Sequence, residues 1–177
     1  MKRGIITLLS LCAVSLCAFA QGGRIPLLEK AHGQRVQFQY AYSLSKGGAA
    51  FEPVTSGRVT VEGNAYTLEG LGLKVVSDGT TRWTTDPDAQ EVVIESVQPS
   101  DIYTNPAYFI SSYTQYLDSI HVNASGPNFL DVTLSLDKEN KARFVLKEVE
   151  FLPSQGKSDF TFDGKSLPSG YLVTDLR

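Results

Sequence analysis

GRVTVEGNAYTLEGLGLKVVSDGTTRWTTDPDAQEVVIESV, residues 57–97, reads as five short strands joined by tight turns. Its apolar residues recur at every second position, the period of a strand with one dry face. Gly63-Asn64, Gly70-x-Gly72, Asp78-Gly79 and Asp86-Pro87-Asp88 supply the turns, and Trp83 stands at the centre. Asp78-Gly79 is the strongest hairpin signal, because the pair tolerates the positive φ angles of a type I′ turn. The dry face is either an ordinary core or the wall of an apolar pocket, and periodicity alone is compatible with both.

The same pattern extends to both sides. Val36 to Leu44 alternates, with Val36, Phe38, Tyr40, Tyr42 and Leu44 on one face, and Thr55 to Glu62 forms the next strand. Ahead of them, residues 21–34 read as a modest helix with Pro26 in its first turn. After Pro99, residues 100–117 carry Tyr108, Phe109, Tyr113 and Leu117 at roughly helical spacing, with Pro106 able to start a helix. Strands resume over 118–123, 129–136 and 142–151, and Phe160-Thr-Phe162 and Tyr171-Leu-Val173 are the last candidates. About ten strands at short, regular spacing predict one mainly β domain shaped as a barrel or strongly curved sheet.

Residues 1–20 read differently. Met1-Lys2-Arg3 precedes an apolar run from Gly4 to Leu16, and Ala18-Phe19-Ala20 is a small-x-small site. This predicts a secretory signal peptide cleaved after Ala20, followed by a single domain over 21–177. Cys12 and Cys17 both fall inside that segment, so the expected mature chain has no disulfide, thiolate metal site or cysteine nucleophile. Leu16 before Cys17 is also too large for a lipid-anchored cysteine. Loss of Lys2 and Arg3 leaves 14 of the 16 basic residues against 19 acidic ones, moving the net charge from −3 to −5. A mildly acidic domain with scattered lysines offers no footprint for nucleic acid.

Catalytic and metal-binding patterns are weak. His32 and His121 lie far apart without a nucleophile–base motif, so no enzyme, cofactor or metal is expected. Asp86, Asp88 and Glu91 lack the loop glycine of an EF-hand and suit a solvated turn. Gly70-x-Gly72 opens no helix that would cradle phosphate. Asn123-Ala-Ser125 matches the N-glycosylation triplet, which arises often by chance, and Asp118-Ser119-Ile120 looks like a short bacterial O-glycosylation motif. The aromatic set carries more information. Each ring alone is ordinary core, but together they suit a curved sheet enclosing a ligand cavity.

Tyr66-Thr-Leu68, Val76-Ser-Asp-Gly79, Trp83, Asp86-Pro87 and Glu91-Val-Val-Ile94 resemble the periplasmic outer-membrane lipoprotein carrier (LolA-like) family. Asn105-Pro106-Ala-Tyr-Phe109 stands where that family has a helix, and Phe160-Thr-Phe162 and Pro168 to Val173 resemble its closing strands. The resemblance implies an unclosed, strongly curved antiparallel β-barrel with a helical lid over its concave apolar face. It implies a monomeric periplasmic chaperone that shelters the acyl chains of lipoproteins and delivers them toward the outer membrane. An inner-membrane ABC-type lipoprotein exporter would be the donor. The expected cavity lining is Phe38, Tyr40, Tyr66, Leu68, Trp83, Ile94, Tyr108 and Phe109. One position departs from the family: its arginine–proline pair, associated with lid closure, is replaced here by Val61-Glu62-Gly63-Asn64. Arg58 is nearby but aligns poorly with that arginine. The rival reading is a sensor or adaptor on the same scaffold, binding a lipid or protein without transporting it.

Overall fold

The computed structural model describes residues 23–98 and 105–177. The expected signal peptide and the first residues of the helix expected from Ser100 lie outside them. A short helix, α1 (Pro26–Ala31), opens the described chain with Pro26 in its first turn, shorter than the span 21–34. Six strands then run as an antiparallel meander: β1 (Arg35–Ser45), β2 (Glu52–Glu62), β3 (Ala65–Gly70), β4 (Leu73–Ser77), β5 (Thr81–Asp86) and β6 (Glu91–Ser96). A second helix, α2 (Pro106–Ser112), runs into a 3-10 helix (Tyr113–Ser119). Next come β7 (Ile120–Gly126), β8 (Phe129–Ser135), β9 (Lys141–Leu152) and a closing strand, β10 (Leu172–Asp175).

All ten strands belong to one open sheet in the order β10-β6-β5-β4-β3-β2-β1-β9-β8-β7. The early strand β1 meets the late strand β9, joining the meander to the β7–β9 hairpins. The sheet is mixed rather than purely antiparallel, because β10 runs parallel to β6, with Leu172 opposite Glu91 and Asp175 opposite Ile94. The chain reaches that edge by a long connection rather than a hairpin, which frees the strand direction.

Turn chemistry fixes the registers. The type I′ expectation moves from Asp78-Gly79 to Leu71-Gly72, where both φ angles are positive (52° and 76°) between the paired residues Gly70 and Leu73. At Asp78 the side chain instead accepts hydrogen bonds from the Thr80 and Thr81 amides (2.7 and 2.8 Å), making an Asx-type turn in which only Gly79 has positive φ. Two bulges lie opposite β1, one on β2 and one on β9. One lies beside Pro53, which cannot donate to the ladder, and the other is where Glu148 of β9 takes a φ of 53°. Phe160-Thr-Phe162 does not form the expected strand: Gly156–Phe160 is a 3-10 helix. There the Ser158 and Thr161 hydroxyls bond to nearby carbonyls, offering the backbone a local alternative to a ladder.

One face of the sheet, here called inner, buries the main core. Register puts Val36, Phe38, Val59, Val61 and Tyr66 on this face with Leu130, Val132, Leu134, Phe144 and Leu146. Leu28, Ile110 and Tyr113 of the helical segments complete it. Each fully buried large apolar side chain contributes roughly 1.5–3 kcal/mol.

Candidate functional site

The inner face does not fill completely. A cavity of about 270 Å³ remains between the sheet and α2. β1 supplies Phe38, Tyr40 and Tyr42 to its wall, in the alternation read from the sequence, and β2 adds Thr55 and Val59. Leu68, Leu73 and Val75 come from β3 and β4, and Arg82 and Thr84 from β5. Phe144 and Leu146 of β9 and Pro106 and Phe109 of α2 close the remaining sides. The wall is overwhelmingly apolar. Phe38, Val59, Phe109 and Leu146 are buried, whereas Thr55, Leu73, Val75 and Thr84 are half-exposed and mark the open side.

Phe109 reaches the cavity because α2 starts sharply and faces the sheet. The Asn105 side chain accepts from the Tyr108 amide (3.0 Å), Pro106 follows it, and α2 then packs on β2 and β3. Tyr113, just past α2, hydrogen-bonds Glu29 of α1 and accepts from the Ile25 amide (3.3 Å), so the two helical segments hold each other. Burial and the Glu29 hydrogen bond push the Tyr113 hydroxyl up to about 12. Inside, Phe109 stacks on Phe144 (centroids 5.0 Å apart, 22°), which stacks in turn on Tyr42 (4.9 Å, 26°).

Few polar groups interrupt the apolar wall. The Tyr40 and Thr55 hydroxyls meet at 3.2 Å. Arg82, paired in register with Ser77 and Glu95, forms an ion pair with Glu95 and lies beside Tyr66. Burial opposes the Arg82 charge, but the hydrogen bonds to Glu95 and Tyr66 overcome this and hold its pKa above the ordinary arginine value.

Of the eight residues expected to line a cavity, Phe38, Tyr40, Leu68 and Phe109 do so. Tyr66 shares their face but is fully buried in the core one row beyond, opposite Val61 and Ser77. Trp83 and Ile94 do not belong to the cavity. Trp83 lies between Arg82 and Thr84, which face the cavity, so its ring projects from the other, outer face with its partners Val76 and Ile94. There it stacks on Phe162 (6.0 Å, 16°). Tyr108, one helical step from Phe109, borders a separate polar pocket with Asn64 and Ser111. Tyr42, Phe144, Leu146, Val75 and Arg82 were not anticipated. Tyr42 continues the Phe38–Tyr40 alternation, which was signal enough to include it. Arg58 is on the outer face, opposite Gln39 and Glu69, so the arginine at the cavity is Arg82.

Among known proteins, the chain matches no protein-family model and no curated sequence.

Proposed function

We propose that the protein is a LolA-like periplasmic carrier that shelters the acyl chains of lipoproteins in this cavity and hands them on toward the outer membrane. One observation carries the reading: an aromatic and aliphatic cavity of about 270 Å³ lies between one face of an open β-sheet and a helix that presents Phe109 to it. Each methylene removed from water into such a wall contributes about 0.8 kcal/mol, so even part of an acyl chain would be held firmly. In this reading the sheet is a strongly curved, unclosed barrel and α2 is its lid. The Phe109–Phe144–Tyr42 stack is then the contact broken when the lid lifts. The carrier acts as a monomer and receives its cargo from an inner-membrane ABC-type exporter.

The test is whether purified protein takes acylated lipoprotein from inner-membrane vesicles and keeps it soluble. A deacylated version of the same lipoprotein should not be held. If acylated and deacylated forms behave alike, the carrier reading fails.

A further inference from the structure

Among the described residues, Arg82 is the only charged one lining the cavity, and it interrupts a wall otherwise made of rings, aliphatic groups and a few hydroxyls. Its side chain is largely buried, at 23% exposure. Glu95, its ion-pair partner, does not line the cavity, so the guanidinium is the charged group a bound molecule meets. Along the strands Arg82 belongs to the row with Tyr66 and Ser77, at the α2 end of the site. The half-exposed Thr55, Leu73 and Thr84 mark the opposite, open end.

We propose that Arg82 is a head-group site and that the cavity takes an acyl chain whose polar end is an anion, a carboxylate or a phosphate. This rests on the acyl-chain reading of the cavity and goes beyond its lipoprotein cargo: the ester- and amide-linked chains of a lipoprotein carry no such anion, so the site assigns a free anionic lipid as a further ligand. The chain lies against Phe38, Leu68 and Val75, and its head meets the guanidinium. A planar guanidinium carries five N–H donors in a fork that matches both carboxylate and phosphate, and it can serve Glu95 and a second anion on different edges. An apolar surround strengthens such a contact, because little water competes for the donors. A neutral ester head gains far less there, and a cationic head is repelled.

Isothermal titration of the purified protein with dodecanoate, dodecyl phosphate, methyl dodecanoate and dodecyltrimethylammonium, each below its micelle concentration, tests this directly. Both anions are expected to bind at least about tenfold more tightly than the methyl ester, the worth of a charge-assisted hydrogen bond, with the cation weakest. The tighter of the two anions tells a fatty-acid carboxylate from a phospholipid-type phosphate. Arg82→Gln should abolish the preference while the methyl ester still binds, and Arg82→Lys should restore part of it. If the methyl ester binds the unaltered protein as tightly as the acid, the anion site is overturned and the acyl-chain reading stands. If none of the four binds, both fall. The comparison in the unaltered protein decides the matter even if the variants fold poorly.

Discussion

On the inner face, Phe109, Phe144 and Tyr42 stack beside a space they leave open. On the outer face, Trp83 and Phe162 stack where the segment after β9 covers the sheet, and Phe160, Ala65 and Val92 are fully buried. Arg35 secures that cover, bonding Glu62 of β2 (3.2 Å) and Asp159 (2.6 Å) with its guanidinium over the Phe160 ring. Both faces use large rings, yet one is packed and clamped while the other keeps a cavity. The difference lies in what covers them. The outer cover is held by the Arg35–Asp159 ion pair and its own strand, β10, whereas α2 faces the cavity with apolar side chains. In the proposed reading the inner face combines the main core with a space for ligand, whereas the outer face serves stability alone.

Four experiments would break or sharpen that division. The largest effect is expected from Phe160→Ala, which empties a fully buried ring site on the outer face. It should cost about 3–5 kcal/mol in urea unfolding and leave acyl-chain affinity unchanged at low temperature. Loss of binding in the folded variant would merge the two faces into one function. Leu68→Asp puts an unpaired charge on the half-exposed cavity wall. It should weaken acyl-chain binding about tenfold to a hundredfold, with a much smaller change in melting temperature.

The third effect lies on β8 and β9, where the Asp131 carboxylate accepts from Arg143 Nε and Nη2 (2.9 and 2.5 Å) and from Asn123 (2.8 Å). These bonds, chiefly those from Arg143, hold the Asp131 pKa below its ordinary value. A depressed folded-state pKa stabilises fully above the unfolded value near 4 and is lost as pH falls through the folded one. Asp131→Asn is therefore expected to cost about 1–2 kcal/mol at neutral pH, with a smaller penalty near pH 3. An equal penalty at both pH values in urea titrations would show that Asp131 contributes by packing alone. The smallest effect is an expected silence. Trp83 is the sole tryptophan and lies on the outer face, so its emission should not move when an acyl chain binds. A clear spectral shift would place the ligand on the wrong side of the sheet.

The silence of Trp83 also shows what alternation conveys. It places Thr67, Val76, Trp83 and Ile94 on one face and Leu68, Val75, Thr84 and Val93 on the other, and register bears this out. Alternation does not say which face meets the cavity when both are covered. The expected lining joined Trp83 and Ile94 to Tyr66 and Leu68 of the opposite face, and the residues that dry the outer row, Phe160 and Phe162, lie far along the chain. The strands themselves were legible because their period is local. β10's parallel pairing, the 3-10 helix at Gly156–Phe160 and the part of Arg82 in the wall depend on non-local contacts, which short-range pattern does not encode.

The pairing of β1 with β9 has a consequence for how the chain is made. Ser45 meets Lys141 and Arg35 meets Leu152, so β1 at the middle of the sheet waits for a partner that is synthesised much later. Until β9 emerges, the meander β1–β6 can form by local hairpins, but one side of β1 stays bare. An unpaired central strand invites pairing between chains, and the long closure slows the final step of folding. A truncated chain ending before Lys141 is expected to sediment as aggregate while the whole chain stays in solution. Until that second half arrives the cavity has no finished wall, since Phe144 and Leu146 are among the last cavity residues to be made.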